Sequence, residues 1–168
     1  IGDGTAVLNF HAAHVTCTIN ASRVDSAAKG MARPANAVEY DSNNDTAEAT
    51  TAASEGMLIS NNAYAYGASS LPDAWFGQYG QDARDWDVIM RNAPYYLMVV
   101  AAGNDGQDNT SNASPLDGQS AYDKLSGHTI AKNNMVVANG NDAVINPDGS
   151  LNSVTRNPGS SEGPTDDY

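Results

Sequence analysis

Residues 96–102, Tyr-Leu-Met-Val-Val-Ala-Ala, are continuously apolar and lie between Pro94 and the turn sequence Gly103-Asn104-Asp105-Gly106. A strand with one wet face alternates apolar and polar residues, so an unbroken apolar run asks for burial on both faces. Its shortness and its turn boundaries favour a strand over a buried helix. Residues 57–60 and 135–138 repeat the pattern more weakly and read as two further buried strands, with a short candidate at 38–40. Between Asp73 and Asn92, Trp75, Tyr79, Ala83, Trp86, Ile89 and Met90 recur every three or four residues, the helical period. Gly77 and Gly80 weaken the first half, so the helix is predicted from Asp82 onward and ends before Pro94. His11 opens a short helix, expected to be buried, with Ala12, Val15, Thr18 and Ile19 on its apolar positions. Asp45 and Glu48 have the spacing of a capping box, and the Ala-rich run behind them stops at Gly56.

Strands alternating with helices give an α/β fold: a mainly parallel sheet flanked by helices on both faces. Asn104 then falls just past the carboxyl end of a strand, where open α/β sheets place their sites. From about residue 140, Gly, Asn, Ser, Pro and Asp dominate and the helical rhythm is lost, so hairpins or irregular loops are expected. No repeat and no domain boundary stands out, and residues 1–168 read as one domain.

Eight Lys and Arg oppose 20 Asp and Glu, a formal charge of −12, which argues against nucleic acid or an anionic membrane as partner. No apolar stretch is long enough to span a bilayer. Cys17 is the only cysteine, so no intrachain disulfide forms. A free cysteine of this kind is expected to be a small buried apolar group. The acidic balance suits solubility and fits a secreted protein. Ile1-Gly2-Asp3-Gly4 reads as a start within a longer protein, and Asp166-Asp167-Tyr168 as a stop within one.

Two segments carry chemistry. His11-Ala12-Ala13-His14-Val15-Thr16-Cys17-Thr18 resembles the H-[GA]-T-H-V-x-G-T block of subtilisin-like serine peptidases. Ala101-Ala102-Gly103-Asn104 resembles that family's A-A-G-N block. Lys29-Gly30-Met31-Ala32, Ser60-Asn61-Asn62-Ala63-Tyr64, residues 85–97 and Ser160-Ser161-Glu162-Gly163-Pro164-Thr165-Asp166-Asp167 are similar to further segments of the same enzymes. The likeness thus runs through nearly the whole chain and stops before the block that would carry the nucleophile. Departures are Ala13 for the usual threonine, Cys17 for the usual glycine, and Arg33 inserted before Pro34.

The resemblance implies a subtilisin-like but incomplete catalytic domain of a secreted bacterial serine endopeptidase acting on peptide or protein substrates. His11 would be the general base and acid, and His14 a structural histidine at the base of the site. Asn104 would donate its side-chain amide to the oxyanion, and Ser60, Asn61 and Asn62 would line the substrate groove. Removing such an amide, the asparagine of subtilisin being the measured case, costs about 2.7–4 kcal/mol in the transition state. The aspartate and serine must come from outside these residues or from the remainder of the peptidase as another chain. Asp3 lies too close to His11 to follow the required strand. Gly159-Ser160-Ser161-Glu162-Gly163 matches the G-x-S-x-G elbow only in letters, since Pro158 and Pro164 flank it and every histidine precedes it. Without its partners the chain is not expected to turn over peptides.

No cofactor is required and no metal ligand set is evident. Structural calcium is the one candidate, at Asp105, Asp108, Asn109 and Asp117 or at Asn141, Asp142, Asn146 and Asp148, clusters of hard oxygen donors that polar turns also contain. The alternatives are a catalytically inactive module derived from such a peptidase, which binds or supports structure, and an acidic calcium-dependent adhesion module rich in strands.

Overall fold

The computed structural model describes residues 2–4, 7, 9–22, 25–112 and 123–166. Residues 1–48 and 49–168 form two compact units. The sequence showed no composition shift at that point.

In the first unit, α1 spans Phe10–Asn20, close to its expected start. Asn9 caps it, its side-chain oxygen accepting from the Ala12 N–H at 3.1 Å. At the other end the Lys29-Gly30-Met31-Ala32 segment folds back over the last turn. Met31 N donates to Thr18 O, Ala32 N to Ile19 O and Gly30 N to Ala21 O, at 3.0, 2.6 and 3.1 Å, so carbonyls that a helix end orphans find partners. A Cβ on the buried Gly30 would stand 2.4 Å from Ala21 N, which is why this position takes glycine. The expectation of a buried helix is not met: no residue of α1 is buried. Cys17 is likewise exposed rather than a buried apolar filler. Residues 38–40 form no strand; among the described residues their one ladder-like bond runs from Gly2 N to Glu39 O.

Helix α2 covers Asp45–Ser54, and Asp45 is its first turn rather than its cap. The Asp45 carboxylate accepts from the adjacent Thr46 N–H at 2.7 Å. Gly56, at φ 104°, terminates it in a Schellman arrangement: Gly56 N donates to Ala53 O, and Met57 N to Ala52 O.

The second unit is built on three parallel strands, β1 (Ile59–Asn62), β2 (Leu97–Ala101) and β3 (Met135–Val137), in the order β1-β2-β3. Ile59 pairs with Leu97, Asn61 with Val99, Val99 with Met135 and Ala101 with Val137. Helix α3 (Gln81–Asn92) connects β1 to β2 and buries Ala83, Trp86, Asp87, Ile89 and Met90, the i, i+3, i+4, i+7 stripe of a core-facing helix. These side chains cluster with Tyr96, Met98, Val100, Ile130 and Ala131. The coarse α/β architecture therefore stands.

Three details differ from expectation. The helical rhythm does not extend back to Trp75: residues Asp73–Trp75 make a 3₁₀ turn, and Gly77 at φ 67° breaks the path before α3 begins. One face of the sheet is packed more tightly than the other, since Met98 and Val100 are buried while Leu97, Val99 and Ala101 are partly buried. Edge strands β1 and β3 also carry exposed apolar residues, each having a single neighbouring strand among the described residues; Ile59, Met135 and Val137 are the plainest. Beyond residue 140 a short antiparallel pair appears, β4 (Val144–Ile145) and β5 (Leu151–Ser153), as the turn-rich composition led us to expect. Among the described residues no helix is long and apolar enough to cross a membrane.

Candidate functional site

Asn104 lies three residues beyond β2, the central strand, on an exposed bend. Its carboxamide makes no hydrogen bond among the described residues, while its neighbours are tightly held. Gly103 turns the chain at φ 109°, and its carbonyl accepts from Ser161 N at 3.0 Å. Asp105 N donates to Ser161 Oγ at 3.0 Å, and Gly106 N to Gly159 O at 3.1 Å. Asp105 Oδ2 also accepts a long bond, 3.4 Å, from Ala68 N. The loop is dense: a Cβ at Gly103 would stand 2.8 Å from Ser161 Oγ, and one at Gly106 only 2.1 Å from Ser160 O. Ser160 and Ser161 are both buried, which agrees with reading them as something other than a nucleophile elbow.

Ser60, Asn61 and Asn62 form the carboxyl half of β1, beside β2. Ser60 donates to Asn62 Oδ1 at 2.6 Å, so the Tyr96 hydroxyl, 2.7 Å away, donates to Ser60 in turn. Asn62 Nδ2 continues the chain to the Tyr64 hydroxyl at 2.9 Å. The i, i+2 pair Ser60 and Asn62 is thereby turned inward as scaffold, with Asn62 buried, whereas Asn61 is exposed. Any groove on this strand would be read through its backbone edge and Asn61.

His11 and His14 belong to the other unit, in the first turns of α1, and both are exposed. His11 makes no hydrogen bond among the described residues. His14 does not pack into a site base; its ring stacks on that of Phe10, with centroids 6.4 Å apart.

The strongest buried histidine had drawn no functional reading from the sequence. His128, 3% exposed, follows the 3₁₀ start at Gly127–Ile130. Its Nε2 lies 3.1 Å from Tyr64 O and its Nδ1 3.6 Å from Asp82 Oδ2, between the rings of Tyr64 and Tyr66. Its isolation between Gly127 and Thr129 left no periodic signal from which to infer these partners. Asp87 is a second buried anchor. It accepts from the Tyr79 hydroxyl, Lys132 N, Asn133 N and Asn133 Nδ2 at 2.6–2.9 Å. Burial alone would raise its pKa, but these donors together hold it below the ordinary carboxylate value.

Where they are described, Asp108 and Asp148 of the two calcium candidates accept hydrogen bonds within their own turns. Asp108 Oδ1 accepts from Thr110 N, Thr110 Oγ1 and Ser111 N, and hydrogen bonds from Ser111 and Thr110 hold its carboxyl well below the usual range. Asp117 lies outside the described residues. Asp148 Oδ1 accepts from Ser150 N and Oγ, closing the β4–β5 turn, and Asn141 Nδ2 bonds Thr155 Oγ1. A different acidic group, Asp3, Asp41 and Glu48, brings carboxylate oxygens within 4.8 Å of one another around an open cleft of about 310 Å³. Burial first, then Asp3, Asp41 and Asp45, pushes the Glu48 pKa up. The group is exposed to half-buried, an arrangement common without any ion.

No family model, no curated protein and no solved structure matches this chain.

Proposed function

We propose that this chain is part of a subtilisin-like serine endopeptidase, supplying the oxyanion amide from Asn104 and the general base from His11. The observation that carries the proposal is the Asn104 loop. A side-chain amide with no hydrogen-bond partner among the described residues stands beyond the central strand of a parallel sheet, on backbone fixed at both neighbouring residues. An oxyanion donor must be free to bond the developing charge yet must not reorganise as it does so. The exposed edge of β1 supports the same reading, since an extended peptide can add to it as a further strand. The aspartate and the serine are then contributed from outside these residues, and the acidic chain acts as a secreted protein without a required cofactor.

A second reading, an inactive peptidase-derived module, draws on His11. A general base must be oriented by a partner, and His11 has none among the described residues.

The two readings separate on the intact mass of the protein purified from its source, followed by labelling with a fluorophosphonate that reacts with activated serines. A labelled species that includes this chain, lost in His11→Ala, is the expected result. Asn104→Ala should lower kcat and kcat/KM together by about 10²–10³-fold. An unlabelled species of only 17.5 kDa would instead establish the inactive module.

A further inference from the structure

Resting on the peptidase reading, we infer that Ser161 is the positioning residue for Asn104. A flexible loop could not act as an oxyanion donor, because the amide must already point at the place where charge will appear. Asn104 is exposed and its side chain makes no hydrogen bond among the described residues, so its direction is set by the two peptide units that flank it. Both end on one residue. The Gly103 carbonyl accepts from Ser161 N at 3.0 Å, and the Asp105 N–H donates to Ser161 Oγ at 3.0 Å. Ser161 is 2% exposed, so water cannot readily replace either bond. Gly103 completes the clamp, because any larger residue would place its Cβ 2.8 Å from the same hydroxyl, on backbone at φ 109°.

The adjacent serine supplies an internal comparison. Ser160 is equally buried, yet its hydroxyl accepts from Asn139 N at 3.1 Å, away from Asn104. Ser160→Ala and Ser161→Ala therefore remove the same atom from the same buried segment, but only the second releases the Asp105 amide.

Amide hydrogen exchange on the 168-residue chain provides the first readout. Ser161→Ala should speed exchange at Asp105 by roughly tenfold or more, the loss of one hydrogen bond of about 1.4 kcal/mol, while α3 and β2 keep their protection. Ser160→Ala should leave Asp105 unchanged, and Ser161→Thr, which retains the acceptor, should restore slow exchange. The second readout is turnover by the peptidase that includes the nucleophile segment. There Ser161→Ala should lower kcat by about 10–10²-fold with KM unchanged, short of the full loss of the donor. Unaltered exchange at Asp105 in Ser161→Ala, or an equal effect in Ser160→Ala, overturns the clamp. A wild-type protein that never turns over peptide overturns the peptidase reading beneath it, whatever the exchange shows.

Discussion

His128 Nδ1 stands 3.6 Å from Asp82 Oδ2, joining the 3₁₀ turn after residue 126 to the first turn of α3. The adjacent His128 ring is the largest influence on Asp82 and holds its pKa down. Burial opposes it, and the His128 charge, the Tyr66 hydroxyl and the His128 N–H add to the lowering. A depressed folded-state pKa stabilises the fold at pH values above the ordinary aspartate value near 3.8. That stability is lost as the pH falls through the depressed folded value. Asp82→Asn cannot titrate, so its melting temperature should fall less steeply than that of the wild type between about pH 5 and pH 2. Parallel curves for the two proteins would show that the pair has no part in acid unfolding.

Asp87 makes a different demand, since its four donors include two backbone N–H groups at the entry to β3. Asp87→Ala leaves part-buried donors without acceptors, which should destabilise the second unit by on the order of 1–3 kcal/mol. Urea unfolding checks this through a lower midpoint at unchanged slope. A loss under about 0.5 kcal/mol, the range of ordinary surface changes, would mean that water reaches these donors.

Gly30 sits where backbone meets backbone. A methyl group there would lie 2.4 Å from Ala21 N and 2.7 Å from Asn20 C, neither of which can rotate aside. Gly30→Ala should therefore cost about 1–3 kcal/mol and release the three bonds that close the last turn of α1. Faster amide exchange at residues 30–32, with α3 unaffected, is the expected signature; unchanged exchange would show that the segment shifts without penalty.

These residues also mark what the sequence made legible. Helix α3 and strand β2 were readable because a long apolar period and an unbroken apolar run each have one economical fold. Gly56 was readable because a helix end needs a left-handed residue. The role of Gly30 was not, since a close backbone approach leaves only the glycine itself as a trace. The exposure of β1 and β3 was hidden as well: apolar strands look alike in sequence whether a neighbour covers them or not. Asn104 was reached through its resemblance, but the bonds that hold its neighbours Gly103 and Asp105 come from Ser161, 56 residues beyond Asp105, a long-range pairing that no local pattern records.

Those uncovered strands have a consequence in solution. β3 presents Met135, Val136 and Val137, 51%, 38% and 47% exposed, on a strand that is at the edge of the parallel sheet among the described residues. Parallel sheets are normally covered on both faces, and a flat apolar edge is a template for another chain. The isolated chain should therefore associate as its concentration rises, with an unfolding transition that depends on concentration. Val137→Lys places a charge on the exposed edge strand, and should shift the population toward monomer. Sedimentation velocity over a hundredfold concentration range decides the matter: a wild-type monomer throughout, unfolding sharply at one temperature, would mean that the edge is already protected.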